Sequence, residues 1–267
     1  MKTKYFLHIS CYFALTLQWA FSQGGSLVPT APPQVIFKTL QEVEPRTLIN
    51  SLPFTISEAG SYYLVSNLVD STGANGITID ASDVTLDLNG FSLLGNGSGF
   101  DGININAGVE NVLIQNGTIR DWTGIGIDGF SASNCIFRTL RLIENAIGLS
   151  SGNNARVEKC DARRNTTTGI GLVAGCRATD NISSENGTAN LHASGNGNLI
   201  KNNQLTDGGI GLDIDGTGNH VSENTVNGNG NNYSMLEDNN LRLLISEIPE
   251  TIEWDGAHVL ITGNLTG

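Results

Sequence analysis

Residues 126–149, GIDGFSASNCIFRTLRLIENAIGL, span one copy of a repeat of about twenty residues. The copy starts where Gly126 precedes an aliphatic residue, and the same step returns at Gly148. Asparagines, and in some repeats another small or polar residue in their place, recur along the chain in three series with spacings of 20 to 23 residues. The first series is Asn111, Asn134, Ala155, Gly175, Asn198 and Asn219; the second is Asn116, Thr139, Asp161, Asn181, Asn203 and Asn224; the third is Asn145, Asn165 and Asn186. Self-similarity at this period is typical of a solenoid.

Each repeat also contains three short segments in which apolar and polar residues alternate, as in Ile103–Ile105, and this period is typical of strands. One segment follows a glycine, and the other two follow the first and second polar series. We therefore predict an all-β fold, a single-stranded right-handed parallel β-helix (solenoid) of about 7–8 coils with a short N-terminal cap. Each coil buries its aliphatic row against its neighbours.

The N-terminal segment of the chain indicates export. Lys2 and Lys4 precede a mostly apolar stretch that ends at Ala20-Phe21-Ser22, which predicts a signal peptide cleaved near Ser22/Gln23. A membrane anchor is the alternative, but the stretch is short and contains polar residues, and we expect no integral membrane segment in the mature chain. The predicted segments are a signal peptide (1–22), a flexible tether (23–37), an N-terminal cap with a helix at Thr39–Glu44 and a first strand (38–75), the repeats (76–233), and an irregular segment with the last coil (234–267).

Charge limits the partners. The formal net charge of −12 disfavours nucleic acid. From Arg138 to Arg177, however, the chain contains seven basic residues and only three acidic ones. Arginine suits bidentate contact with carboxylates, so we predict that an acidic polysaccharide is the partner. Its predicted contacts are Arg138, Arg141, Lys159, Arg163 and Arg164, with Arg138 and Lys159 in one outward column and Arg141 and Arg163 near the next turn. A basic face balanced by neighbouring coils is the alternative.

A second candidate site centres on a histidine in the outward column that follows the repeat glycines. That column is predicted to contain Thr78, Asn104, Asp128, Ser150, Val173, His192 and Asp213. His192 beside Asp213 can serve as a general acid or base, and Asp213 with Asp215 can hold calcium. The alternatives are an exposed ladder pair and a solvated acidic face, and we predict no required cofactor.

The cysteines are predicted to be free. Cleavage of the signal peptide leaves Cys135, Cys160 and Cys176, an odd number. Cys135 and Cys176 fall two coils apart, about 9–10 Å, which is too far for a disulfide. We expect buried thiols that act as small core residues.

The repeats from Gly76 to Asn229 resemble those of the pectin lyase-like superfamily of right-handed parallel β-helices. The opening motifs are similar to a group of exported bacterial β-helix proteins of unassigned function. These motifs are Glu44-Pro45-Arg46-Thr47, Gly60-Ser61-Tyr62-Tyr63-Leu64 and Val84-Thr85-Leu86-Asp87-Leu88-Asn89-Gly90-Phe91. The resemblance implies the fold, and a shared β-helix does not imply shared chemistry.

Catalytic motifs of the superfamily were compared with the chain one at a time. The hydrolase motifs Asn-Thr-Asp, Asp-Asp, Gly-His-Gly and Arg-Ile-Lys do not occur, nor does the epimerase motif Asp-Pro-His-Glu. We therefore predict a non-catalytic surface or extracellular protein that binds acidic polysaccharide. The alternative is a polysaccharide lyase or hydrolase acting on a polyuronate-type glycan, which the fold and the basic cluster keep open.

Overall fold

The computed structural model describes residues 43–97, 100–236, 238–243 and 258–261. The chain separates into two units at Val43–Glu44, and the following description concerns the second unit. The predicted signal peptide and tether, most of the predicted cap helix and the greater part of residues 234–267 lie outside the described residues. Where the chain is described, no helix is long and apolar enough to cross a membrane.

The described residues contain 26 strands. In chain order they are β1 (Thr47–Ile49), β2 (Phe54–Ile56), β3 (Gly60–Leu64), β4 (Leu68–Val69), β5 (Ile77–Ile79), β6 (Val84–Asp87), β7 (Ser92–Leu94), β8 (Ile103–Ile105), β9 (Leu113–Arg120), β10 (Ile125–Asp128), β11 (Ile136–Ile143), β12 (Ile147–Ser150), β13 (Arg156–Glu158), β14 (Asp161–Arg163), β15 (Thr168–Leu172), β16 (Arg177–Thr179), β17 (Ile182–Ser184), β18 (Ala189–Ala193), β19 (Leu199–Lys201), β20 (Gln204–Thr206), β21 (Ile210–Ile214), β22 (His220–Ser222), β23 (Thr225–Asn227), β24 (Asn231–Met235), β25 (Asn240–Leu243) and β26 (His258–Ile261).

These strands stack in three parallel columns. One column is a nine-stranded sheet that starts at β2 and ends at β24. The other two columns form a 17-stranded sheet, because β9 and β11 each run through the corner between them. Nine coils result, and they cover residues 54–69, 77–94, 103–120, 125–143, 147–163, 168–184, 189–206, 210–227 and 231–243. The predicted all-β solenoid is confirmed, with about one coil more than expected because residues 54–69 already form a coil.

The core consists of aliphatic side chains stacked from coil to coil. In the nine-stranded sheet Ile103, Ile127, Leu149, Ile170 and Leu191 are level with one another or nearly so, and all are fully buried. Burying one such side chain contributes about 1.5–3 kcal/mol. No coil can bury its row alone, so stacking holds the outward side chains in a regular array.

The corners of the coils combine two different residue positions. At the first position the backbone is left-handed, with φ near +55°, as in Asn134, Lys159 and Arg164. At the next position an asparagine points inward in many coils, and its amide bonds to the asparagine one coil away. Three such ladders are Asn145–Asn165–Asn186, Asn181–Asn203–Asn224 and Asn198–Asn219–Asn239. The third predicted series is thus confirmed as a ladder.

The first and second predicted series are wrong in the middle of the chain, the first by one residue at Ala155 and the second at Asp161, which lies two residues after the left-handed corner residue Lys159. Asn111 and Asn134 occupy the left-handed position, whereas Asn198 and Asn219 occupy the inward position. Because Arg156 is level with Ile136, Ala155 is level with Cys135 and not with Asn134. Both positions accept asparagine, for left-handed turns or for ladders, so its recurrence alone does not separate them.

The three cysteines among the described residues, Cys135, Cys160 and Cys176, are free and buried, as predicted. Each stands at an inward corner position. The Cys160 thiol donates to the carbonyl oxygens of Glu158 and Phe137, and the Cys176 thiol donates to that of Gly152. They take the place that ladder asparagines take in later coils.

Candidate functional site

The predicted basic contacts lie on the outward side of the 17-stranded sheet, in coils four and five, with Arg164 directly after coil five. Arg138 is level with Gln115 and Glu158, and both Nε and Nη2 donate to the Gln115 amide oxygen, at 2.8 and 2.6 Å. Lys159 does not share the column of Arg138, because it is the left-handed corner residue of coil five (φ 53°). The one-residue slip in the predicted series accounts for this error.

Two of the predicted contacts are neutralised within the protein. Arg163 forms an ion pair with Asp161, and Arg164 Nε lies 2.9 Å from Glu144 Oε1. The hydrogen bond to Asp161 raises the pKa of Arg163. These two guanidinium groups, which were expected to contact a ligand, are therefore already paired with carboxylates of the protein.

Two arginines outside the predicted contact set complete the surface. Arg156 begins β13 and Arg177 begins β16, and these two residues are directly paired in adjacent strands. Both are exposed. They directly follow the buried corner residues Ala155 and Cys176, a regularity that could have revealed their common column. Parallel neighbours stand about 4.8 Å apart, so the two guanidinium groups emerge side by side.

We call Arg138, Arg141, Arg156, Lys159 and Arg177 the cationic face. All five are exposed. Within the part of the chain that the structure describes, none of them has a carboxylate oxygen within 4.0 Å. Glu158 and Asp161 are level with Arg138 and Arg141 in the sheet without forming ion pairs with them. The surface therefore presents five basic groups whose charge no carboxylate of the described residues neutralises, and one of them, Arg138, also donates to Gln115.

The predicted histidine site lies on the other sheet. His192 and Asp213 are directly paired in β18 and β21, and His192 Nε2 lies 3.0 Å from Asp215 Oδ2. The ligating atoms of His192, Asp213 and Asp215 all lie within 4.8 Å of one another. The column prediction is wrong at one position, because Gly171, and not Val173, is level with Ser150 and His192.

Two surface grooves lie away from the cationic face. One, of about 400 Å³, runs over the nine-stranded sheet beside His192, where Gly171 leaves open space and Phe130 stands exposed. The other, of about 600 Å³, is lined by Trp122, Glu144 and Thr166, among others. The sequence did not predict either groove, because each is formed by residues from several coils.

One carboxyl group on the side of the nine-stranded sheet has a raised pKa. Burial, and then the charge of Asp128, raise the pKa of Asp101. Its Oδ1 accepts a hydrogen bond of 2.7 Å from the Ile125 backbone N–H. This hydrogen bond opposes the rise in pKa and fixes the start of β10. The burial of the Asp101 carboxyl group is therefore explained by its structural role.

These observations define a right-handed solenoid with a basic surface on one sheet and a histidine–aspartate cluster on the other. The sequence model described as "Right handed beta helix region" matches residues 55–205, and the chain belongs to that family. This agrees with the resemblance to the pectin lyase-like superfamily.

Comparison with solved structures finds the crystal structure of the Dettilon tailspike protein. It is 14% identical, with a TM-score of 0.48, and the match covers 73% of this chain and 46% of that chain. The match thus spans less than half of the tailspike chain. Among curated proteins, none matches this chain significantly.

Proposed function

We propose that this protein is an exported, non-catalytic β-helix protein that binds an acidic polysaccharide on its cationic face. The observation that carries the proposal is the set of five exposed basic side chains in three consecutive coils without carboxylate partners among the described residues. Arg156 and Arg177 are directly paired in adjacent strands, and like charges directly opposite each other destabilise a sheet. An anionic partner explains this cluster.

The chemistry of the cationic face suits carboxylates carried on an extended polymer. Guanidinium groups bind carboxylates through two parallel hydrogen bonds. Arg156 and Arg177 repeat at the coil spacing of about 4.8 Å, so successive groups of one chain can be bound in turn. Ile136 and Leu199 flank this pair in the same column and are half-buried, which supplies apolar surface for sugar rings.

Affinity must come from several contacts together. An exposed ion pair contributes about 0–1 kcal/mol, so a single arginine cannot hold a glycan. Contacts on one polymer reinforce one another because the later ones form at high effective concentration. The proposal therefore requires polymers or long oligomers as ligands, and monosaccharides should bind hardly at all.

The proposal is tested by comparing two double variants that remove the same charge. We expect Arg156→Ala with Arg177→Ala to weaken binding of polygalacturonate or alginate about two- to thirtyfold, because each of the two lost contacts contributes about 0.2–1 kcal/mol. Arg163→Ala with Arg164→Ala is the matched control, since these arginines are already paired with Asp161 and Glu144. Calorimetric titration, with dextran as the neutral polymer, measures both.

Three outcomes would overturn the proposal. Equal losses in the two double variants would show that only net charge matters. Unchanged affinity in Arg156→Ala/Arg177→Ala would place the glycan elsewhere. New unsaturated, ultraviolet-absorbing ends or new reducing ends after incubation would show a lyase or hydrolase.

A further inference from the structure

The cluster of His192, Asp213 and Asp215 lies in coils seven and eight of the nine-stranded sheet. Its three ligating atoms are already within 4.8 Å of one another, and the His192–Asp215 separation is 3.0 Å. Two donors bound to one Zn²⁺ at the usual bond lengths of about 2.0–2.2 Å lie about 3.3–3.6 Å apart in tetrahedral geometry. To reach such an arrangement, the His192–Asp215 separation of 3.0 Å widens by a few tenths of an ångström, and the longest separation in the cluster, at most 4.8 Å, shortens by about one ångström.

The backbone holds His192 and Asp213 in strands, and Asp215 directly follows β21. His192 and Asp213 are directly paired between β18 and β21. Asp213 and Asp215 flank Ile214, which is buried, so both point outward. The residues around His192, Leu191 and Ala193, are fully buried. His192 and Asp213 are therefore positioned by the core, and Asp215 is positioned by its backbone N–H, which donates to Ala193 O at 3.0 Å.

The donor set selects among metals. One imidazole nitrogen with two carboxylate oxygens suits Zn²⁺ and similar transition-metal ions. Calcium prefers six to eight oxygen donors and gains little from imidazole. From this geometry we propose that His192, Asp213 and Asp215 bind one divalent transition-metal ion of the zinc class.

The surroundings leave coordination positions open. On the neighbouring coil the position level with His192 is Gly171, which carries no side chain. The groove of about 400 Å³ starts there, with His192 in its wall. Three protein donors beside an open groove leave a fourth position for water or for a ligand oxygen.

The hydrogen bond between His192 and Asp215 is the competing explanation. The side chains are 31% and 60% exposed, and an ion pair so exposed contributes little to stability. It also leaves unexplained why Asp213 is brought to the same point. A metal ion accounts for all three side chains.

The test is calorimetric titration of tag-free full-length protein with Zn²⁺, and with Ca²⁺ in parallel. We expect one Zn²⁺ per chain, and at least about tenfold weaker binding in His192→Ala and in Asp215→Asn. His220→Ala is the matched control, because His220 is an exposed histidine on the other sheet, and it should bind zinc like the wild type. Co²⁺ should give visible absorption bands in the wild type that disappear in His192→Ala.

Folding of the variants is checked independently by their melting temperature without metal. We expect Zn²⁺ to raise the melting temperature of the wild type and of His220→Ala only, because a ligand stabilises the state that binds it. Absence of saturable zinc binding would overturn the proposal. So would zinc binding that survives His192→Ala, or calcium binding as tight as that of zinc.

Discussion

Cys160 occupies a position that asparagine occupies in the next three coils. Its backbone N–H donates to Asn181 Oδ1 at 2.9 Å, so it stands at the head of the Asn181–Asn203–Asn224 ladder. A thiol is a weaker donor than an amide, but it is small enough for the corner and can be buried without an unpaired strong polar group. Burial raises the pKa of the Cys160 thiol to about 12, from an ordinary value of 9.0.

We expect Cys160 to resist alkylation in the folded protein. Its raised pKa lowers the thiolate population at pH 8 about a thousandfold relative to an ordinary thiol, and the thiolate is the reactive form. Iodoacetamide labelling followed by peptide mass mapping should show labelling of Cys160 at least about a hundredfold slower than in denaturant. Comparable rates in the two states would contradict the buried position.

The same shift predicts how stability changes with pH. The folded thiol keeps its proton above pH 9, whereas the unfolded thiol loses it, so the contribution of Cys160 to stability is present below pH 9 and is lost as pH rises towards 12.

At the scale of the element, the asparagine ladders hold the corners together. Asn165 Oδ1 accepts from the backbone N–H and the side-chain Nδ2 of Asn145. Its Nδ2 donates to Leu142 O at 3.1 Å and to Asn186 Oδ1 at 2.9 Å. All four hydrogen-bonding positions of this buried amide are therefore used.

We expect Asn165→Ala to destabilise the solenoid by about 3 kcal/mol, because several buried polar groups lose their partner and each costs about 1–3 kcal/mol. Asn227→Ala is the matched control, since Asn227 is exposed at the end of β23, and it should change stability by at most about 0.5 kcal/mol. Urea unfolding measures both through the midpoint at constant slope. Equal midpoints would show that the ladder contributes nothing.

The sequence predicted the strands and coils but not the full register. Alternation in segments such as Ile103–Ile105 identifies strands directly. Asparagine, in contrast, serves in the left-handed position at Asn134 and in the inward position at Asn198, so one spacing series joined two columns. This error placed Lys159 level with Arg138. Residues about twenty positions apart can be matched between adjacent coils only when every corner is assigned correctly.

The candidate sites were predictable to different degrees. His192 and Asp213 were expected to be adjacent because each is the third residue of a similar strand segment, Asn190-Leu191-His192 and Gly211-Leu212-Asp213, and they are directly paired. The pairing of Arg164 with Glu144 depends on side-chain conformation across two coils. The third series puts Glu144 and Arg164 on adjacent coils, because each directly precedes a ladder asparagine, but a spacing does not give the side-chain conformation that joins them.

At the scale of the whole molecule, local and total charge have opposite signs. The net charge is −12, yet coils four to six carry the cationic face. The net negative charge repels an anionic polymer from most of the surface, and the local field attracts it to one sheet. This arrangement favours selectivity more than affinity, because every contact on the cationic face is exposed to solvent.

We therefore expect polyuronate binding to weaken steeply with salt. The Debye length falls from about 10 Å at 0.1 M to about 3 Å at 1 M, and exposed contacts are screened first. Affinity measured by calorimetry should fall at least about tenfold between 0.05 M and 0.5 M sodium chloride, because several exposed contacts of up to about 1 kcal/mol each are screened together.

Arg156→Ala/Arg177→Ala should show a shallower dependence than Arg163→Ala/Arg164→Ala, since it has fewer free cations to screen. Zinc binding at His192 provides an internal comparison, because coordination bonds at contact distance depend less on the ionic atmosphere than ion pairs across solvent do. If polyuronate binding proves independent of salt, the ligand is held by other forces, and the cationic face is not its site.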